Sequence, residues 1–408
     1  MKICLLTTST TAHRMGGTEV QAETLAAETA RQGHQVFIVT TAHPRGIAEE
    51  TRNGYRVIYL SGTSHEMSRK DAPVWWSASA SRTAELCETE GIDIVWAENF
   101  SGLSYAAIPA RQRKPVLSIV QGLAVRGEVI SNFNRISTAG ELLYLLTRYA
   151  AQTLFYYIPR FRALARDSDL LVGVSNETVA ALEAEYPGSG KKTIAIFNPV
   201  DTERFRPAPE LRRTGRERLG LPDGAVTVLM SGVLHKQKGM HLGLLAFAQV
   251  AARFPQARLI IAGDGPEKQR LAALAGELGI AARVTFPGLV PNEEMPLHYN
   301  SADIYLNPTL RMEGLGIVNV EAMACGLPVI TSKIGGTGSS IEDGKSGFFT
   351  RPGDISGLAG RLEQLLGDPA LRARLGADAR SRAEAVFSKE TVTRRYIEVS
   401  ASLLGGRA

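Results

Sequence analysis

Residues Asn307–Ser332 read NPTLRMEGLGIVNVEAMACGLPVITS: the end of a strand, a loop carrying Glu313-Gly314-Leu315-Gly316, an apolar helix and a second strand. Glu321 falls inside the helical part, surrounded by Ile317, Val318, Val320, Ala322, Met323 and Ala324. A carboxylate in such company costs several kcal/mol unless something pairs with it. Two readings are open. Glu321 belongs to the solvent stripe of an amphipathic helix, although Asn319 is almost the only other polar residue there to define one. Alternatively, it accepts hydrogen bonds from hydroxyls of a ligand at the mouth of a parallel sheet. Strand, glycine loop and helix in succession favour α/β architecture, because free N–H groups and the helix dipole then meet a ligand at the end of a strand.

Outward from this stretch the same rhythm repeats. Upstream, Val226–Ser231 leads into a loop from Gly232 to Gly239 that holds His235, Lys236 and Lys238, and a helix follows over about Met240–Arg253. Arg258–Ala262, Gly263-Asp264-Gly265-Pro266, and strands at Arg283–Phe286 and Ile304–Asn307 continue it. The N-terminal half repeats the pattern. A strand at Lys2–Thr8 precedes Gly16-Gly17-Thr18-Glu19, which opens an Ala-rich helix with Thr18 as its cap and Gly33 as its stop. Gln35–Thr40, Tyr55–Leu60, Ile92–Ala97, Pro115–Val120 and Leu170–Val174 are near-continuous apolar runs, as expected of parallel strands covered on both faces. Gly16-Gly17 suits either a phosphate or a tight turn of no chemical meaning, and is not a dinucleotide fingerprint.

Ile196–Pro207, with two prolines, interrupts the rhythm and reads as a linker. The expected organisation is two doubly wound, Rossmann-like α/β domains facing a cleft. They cover 1–198 and 199–385, and a helix over 386–408 returns to the first. In such sheets ligands bind outside the carboxyl ends of the strands, where Gly16-Gly17, Gln121, the 232–239 loop, Gly263–Pro266 and the 313–321 segment all fall.

Composition sets bounds on function. The 408 residues, 44% hydrophobic and 21% charged, suit a globular chain of about two domains. Cys4, Cys87 and Cys325 form no C-x-x-C and Met1-Lys2 runs straight into a strand, which points to a reducing cytosol. No run of eighteen apolar residues lacks a charge, which argues against a membrane span. The net charge of +5 selects no single class of partner. One segment stands apart: Glu141–Asp167 is rich in Leu, Tyr and Phe, carries Arg148, Arg160, Arg162 and Arg166, and is expected to kink or split at Pro159. It reads as a core helix or as an interfacial helix facing an anionic membrane or a lipid-linked acceptor.

The chemistry of the opening stretch is that of a nucleotide sugar. Glu321, about one and a half turns into its helix, can reach a vicinal diol such as a ribose. Backbone N–H groups at Gly314–Gly316 can hold anionic oxygens, Lys238 can neutralise a diphosphate, and Glu313 can reach sugar hydroxyls beyond it. The stretch resembles the E-x7-E signature of retaining glycosyltransferases of family 4, with GT-B fold, Glu313 and Glu321 standing at the two glutamates. The resemblance extends through GGTEVQAETLAAETARQGHQV, VGVSN, FNPVDTERFRP, Lys238-Gly239, AGDGP, ADIYLNP and IEDGKSGFF.

The resemblance implies transfer of a sugar with retention, from a nucleotide-diphosphate sugar to a sugar or lipid-linked acceptor, in cell-surface polysaccharide or glycolipid synthesis. It implies no cofactor, no metal and no nucleic acid, and a cytoplasmic protein at the inner face of the cell membrane. By position it assigns Glu321 to the ribose, Glu313 to the donor sugar and Gly314, Leu315 and Gly316 to sugar and phosphates. Lys238, with Gly232 and His235 in its loop, goes to the diphosphate, Gly16 and Gly17 to closure over it, and Leu289-Val290 to the edge of the base. Four departures accompany it. Val233 stands where an arginine is usual, Gln121 where a histidine is frequent and Ser339 where a glutamate is common, while Pro308–Glu313 is one residue longer. Gln121 can bind a sugar but cannot act as acid or base near neutral pH. These departures keep a rival in view, a nucleotide-binding regulatory or scaffolding subunit without transferase activity.

Overall fold

Fourteen strands and the helices between them form two units in the computed structural model, which describes all residues except 15, 123, 124, 126, 128, 130, 131, 133–138, 407 and 408. One unit comprises described residues up to Pro199 together with Lys389 onward; the other runs from Val200 to Ser388.

In the first unit the strands are β1 (Lys2–Leu6), β2 (Gln35–Thr41), β3 (Glu49–Arg52), β4 (Tyr55–Leu60), β5 (Ile94–Glu98), β6 (Val116–Val120), β7 (Leu170–Gly173) and β8 (Thr193–Ala195). They form one sheet in the order β3-β4-β2-β1-β5-β6-β7-β8, parallel throughout except for the antiparallel edge pair β3 and β4. Alternation explains the apolar runs. Ile3 and Leu5 of β1 pack with Ala22, Leu25 and Ala26 of the helix Gly17–Arg31, whereas Cys4 and Leu6 pack on the opposite face with Trp75 and Leu86. The last helix, Lys389–Gly405, belongs to this unit, where Tyr396 packs on Trp96 and Trp96 Nε1 donates to Ser400 Oγ at 3.0 Å.

The second unit has β9 (Val226–Ser231), β10 (Ala257–Ala262), β11 (Val284–Gly288), β12 (Ile304–Asn307), β13 (Val329–Ser332) and β14 (Gly347–Thr350), in the order β11-β10-β9-β12-β13-β14 and all parallel. In both sheets chain progression reverses once, between β1 and β5 in the first and between β9 and β12 in the second. Loops leaving those two central strands part to opposite sides and open a crevice beyond the strand ends.

Three expectations are corrected. Strands β3, β8 and β14 escape the sequence reading, being three or four residues long and at or next to sheet edges. The helix after Gly16 begins at Gly17, so Gly16 is its cap and Thr18 lies in its first turn. Pro159 does not split the segment 139–167. The chain stays helical through it, because two π-helical turns, Leu145–Tyr149 and Thr153–Tyr157, rearrange the bonding, and Pro159 enters near the start of the regular stretch Ile158–Asp167, where its missing N–H does little harm.

Candidate active site

In the second unit the loops leaving β9 and β12 bring the expected residues together. After β9 a short 3₁₀ turn, Lys236–Lys238, is capped by the His235 ring and presents Lys238, whose Nζ lies 2.6 Å from Glu313 Oε1. Glu313 sits in the loop after β12, and its carbonyl accepts from Gly336 N at 2.8 Å, tying that loop to the Gly335-Gly336 turn. Burial would raise the Glu313 carboxyl, but the Lys238 ammonium, its hydrogen bond, Arg311 and Thr309 together hold it below the usual range.

Gly316 caps the helix Ile317–Ala324 in left-handed conformation, with φ of 76°. A side chain there would meet Asn319 Nδ2 at 3.1 Å and Thr337 Cγ2 at 3.2 Å, so both conformation and space select glycine. Leu315 points inward and is buried. Four residues past Ile317, Glu321 is half-buried, and Tyr299 donates its hydroxyl to Glu321 Oε2 at 2.8 Å. Burial pushes this carboxyl up to about 7, against the Tyr299 bond and the charge of Arg204. Asn319 is no part of a solvent stripe. It is fully buried, accepting from Asn307 Nδ2 at 2.9 Å and donating to Ser340 Oγ at 3.1 Å, so it locks the helix to the strand before it. The helix therefore has no second polar residue that would define a solvent stripe with Glu321.

Leu289 and Val290 line a separate cavity of about 200 Å³ with Pro287, Glu294 and His298; none of Lys238, Glu313 or Gly314–Gly316 lines it. Gly232 turns the chain out of β9 with φ of 131°, and the following Val233 is exposed.

In the first unit Gln121 follows β6 and is gripped from both ends. Its Nε2 donates to Glu98 Oε2 at 3.0 Å, and its Oε1 accepts from Asn198 Nδ2 at 2.9 Å. Its backbone N–H donates to Asn99 Oδ1 at 3.0 Å. Glu98, the last residue of β5, is 3% exposed; burial raises its carboxyl to about 8, the Gln121 bond opposes this and Glu19 adds to it. Glu19 is the converse. Burial would raise it, but hydrogen bonds from Ser9 and Arg14 hold it low, Arg14 Nε standing 2.7 Å away. Gly16 is next to it: a Cβ on Gly16 would come within 2.3 Å of Glu19 Oε2, whereas one on Gly17 would meet nothing. Packing therefore accounts for Gly16, and Gly17 is the freer of the two to approach a ligand.

Sequence reasoning missed Tyr299, Glu98, Glu19 and Asn198. For Glu98 a signal existed, an acid closing the apolar strand IVWAE. Among the described residues no cluster of His, Cys, Asp or Glu is arranged to hold a metal, and no helix is long and apolar enough to cross a membrane.

Comparison with known proteins gives two family matches: residues 15–204 fit the model described as Glycosyltransferase Family 4, and residues 212–382 that described as Glycosyl transferases group 1. A GDP-mannose-dependent alpha-(1-6)-phosphatidylinositol monomannoside mannosyltransferase of Mycolicibacterium smegmatis is 34% identical over 54% of this chain and 58% of its own length. The matched stretch thus spans little more than half of that relative. A D-inositol 3-phosphate glycosyltransferase of Corynebacterium jeikeium is 29% identical over 90% of this chain and 87% of its own. Among solved structures, sucrose-phosphate synthase from Thermosynechococcus elongatus superposes with a TM-score of 0.80 at 22% identity, covering 99% of both chains, a likeness of fold.

Proposed function

We propose that this chain, which belongs to the family 4, group 1 glycosyltransferases and has their pair of parallel-sheet α/β domains, moves a hexosyl group from a nucleotide-diphosphate sugar to a hydroxyl of a sugar or lipid-linked acceptor, with retention. The observation that carries it is the arrangement around the helix Ile317–Ala324: Lys238 against Glu313 on one side of the Gly314-Leu315-Gly316 turn, Glu321 with Tyr299 on the other. In this reading Glu321 holds the ribose, Gly314–Gly316 bind oxygens through their N–H groups, and Glu313 orients the donor sugar. Lys238 turns from Glu313 toward the diphosphate and stabilises the charge that grows there as the sugar–oxygen bond breaks. The acceptor oxygen forms its bond on the face the diphosphate leaves, and its proton passes to a diphosphate oxygen, so no side-chain base is required. The loss of a histidine at Gln121 is then tolerable. The name of one relative favours a mannosyl donor and a phosphatidylinositol mannoside as acceptor, and that of the other an inositol phosphate as acceptor.

The helical segment 139–167 supports work at an anionic membrane face. It exposes Leu143, Leu146, Leu154 and Phe155, the last 74% accessible, and Arg148, Arg162 and Arg166 are exposed along the same segment. Exposed apolar side chains flanked by arginines fit the headgroup boundary of a bilayer. Sedimentation with liposomes should carry the protein down with anionic vesicles and not with neutral ones; equal recovery in both supernatants rejects this role. For the transfer itself, purified protein is incubated with a panel of labelled nucleotide sugars and a membrane-lipid extract. Labelled glycolipid is expected. Nucleotide binding without any product from any donor would favour the regulatory subunit instead.

A further inference from the structure

Behind Glu321 lies a phenol sealed from solvent. Tyr299, on the helix Met295–Ser301, is fully buried and donates its hydroxyl to Glu321 Oε2 at 2.8 Å; the Val318 carbonyl, at 3.4 Å, is its more distant acceptor. Glu321 itself is half-buried, and its Oε1 takes no hydrogen bond among the described residues and is not shut off from the surface. One oxygen of the carboxyl is thus held from inside while the other stays open to a ligand. Resting on the glycosyl-transfer reading above, in which Glu321 meets the ribose, we propose that Tyr299 is the positioning residue for that contact. Out of the ligand's reach, it aims the Glu321 carboxyl and so makes the site prefer a ribonucleotide to its 2′-deoxy counterpart.

Three observations support this. The phenol is held in place. Its ring lies 5.5 Å from that of Tyr305 and 5.9 Å from that of Phe205, at interplanar angles of 59° and 73°. The helix that carries it is tied down: Asn300 Oδ1 accepts from Ala208 N at 2.7 Å, Asn300 Nδ2 donates to the Arg206 carbonyl at 3.0 Å, and Arg212 donates to the carbonyls of Asn300 and Ala302 at 3.2 and 2.9 Å. A Cβ on Gly215 would come within 2.0 Å of Ser301 Oγ, so the helix Pro209–Arg218 presses directly on it. A donor fixed this firmly keeps its acceptor in one orientation. Secondly, Tyr299 keeps its proton. Burial and then the Glu321 charge hold the phenol well above its ordinary value. The neighbouring Tyr305 hydroxyl bonds Ser231 Oγ at 3.0 Å instead, which leaves Tyr299 as the donor to Glu321. Thirdly, the bond favours the form of Glu321 that accepts from hydroxyls. Burial pushes this carboxyl up to about 7, and the Tyr299 bond, then the charge of Arg204, oppose that rise. A carboxylate with an open oxygen accepts from sugar hydroxyls, and one hydroxyl is all that separates ribose from deoxyribose.

The test is isothermal titration calorimetry on the full chain, with GDP, UDP, ADP and their 2′-deoxy counterparts as probes. Wild-type protein should bind at least one ribonucleotide about tenfold or more tighter than its deoxy form. Tyr299→Phe should bring that ratio within about threefold of unity, chiefly by weakening the ribonucleotide. Because Tyr299 acts through Glu321, adding Tyr299→Phe to Glu321→Ala should change the ratio no further. A tyrosine that only supports the fold would weaken both forms alike and leave the ratio where it was. Binding of no probe, a wild-type ratio near unity, an unchanged ratio in Tyr299→Phe, or a further change in the double variant overturns the proposal. The wild-type comparison needs no variant. Tyr299→Met, a flexible filler without a donor, replaces a phenylalanine variant that fails to fold and carries the same expectation. Labelled nucleotide sugar and lipid extract in the same samples separate the two readings. A Tyr299-dependent ratio without any glycosyl transfer rejects the transferase and leaves the positioning role standing, whereas transfer with an unmoved ratio rejects the positioning role alone.

Discussion

Each unit sets two glutamates with opposed environments beside the reversal of its sheet, and the pairs differ in where the positive charge lies. In the second unit Glu313 is held by Lys238, a side chain only 21% exposed on the loop that leaves the neighbouring central strand. In the first unit Glu19 is held by Arg14, which is 62% exposed and lies at the rim. The remaining member of each pair, Glu321 or Glu98, has a neutral partner, a tyrosine hydroxyl in one and a glutamine amide in the other, and both are raised chiefly by burial. Groups whose environments push their protonation apart mark places where a site distinguishes charge from hydroxyl. In the proposed reading the second unit supplies an internal cation for the diphosphate, whereas the cation that holds Glu19 in the first lies at the rim.

This contrast breaks most visibly at Lys238. Lys238→Ala should lower kcat by about 10²–10³-fold, as loss of one preorganised charge at a leaving group does. Near-normal kcat in steady-state assays would remove Lys238 from transition-state stabilisation and make it only the partner of Glu313. Glu321→Ala should raise the donor KM by about 10–100-fold with a smaller change in kcat, since the hydrogen bonds it offers the ribose are lost in ground and transition states alike. A kcat-only effect would place Glu321 at the reacting centre.

Gln121→Ala should reduce kcat/KM by about tenfold, because the Glu98 carboxyl loses the bond that orients it and Asn198 loses its acceptor. Unchanged kinetics would reduce Gln121 to a packing residue. The smallest effects are in stability. Glu98 and Glu321 have raised values, so the stability they allow is complete below the ordinary carboxyl value near 4.5 and is lost as pH rises through about 8 and about 7. Glu19 and Glu313 have lowered values, and their contribution is present above the ordinary value and lost as pH falls. Thermal melts from pH 4 to 9 should therefore decline on both sides, and Glu98→Gln and Glu321→Gln should each flatten the alkaline side only. An alkaline limb unaffected by either variant would show that these carboxyls titrate normally.

Much of this was legible in the chain. Long apolar strands and glycine-rich turns specify parallel sheets, and the spacing from Glu313 to Glu321, with Gly316 at the helix start, specifies a loop and helix that present both acids. Short strands such as Thr193–Ala195 were not legible, because three residues carry no periodicity. Nor was the continuity of 139–167 through Pro159, which depends on π-helical bonding in the turn before it.

Local matters were settled by residue order alone: which segments are strands or helices, where backbone N–H groups stand free, and that Glu321 lies within an apolar helix. The partners emerged only on folding, since Lys238 and Glu313 are 75 residues apart, Tyr299 and Glu321 22 apart, and Asn198 and Gln121 77 apart. The reason is topological: the central neighbours, β1 with β5 and β9 with β12, are strands distant in sequence, and the loops beyond them meet only once the sheet has reversed. Whether a carboxyl is a charge or a neutral acid depends on those neighbours, so Glu98 and Glu19 became a pair only in the fold.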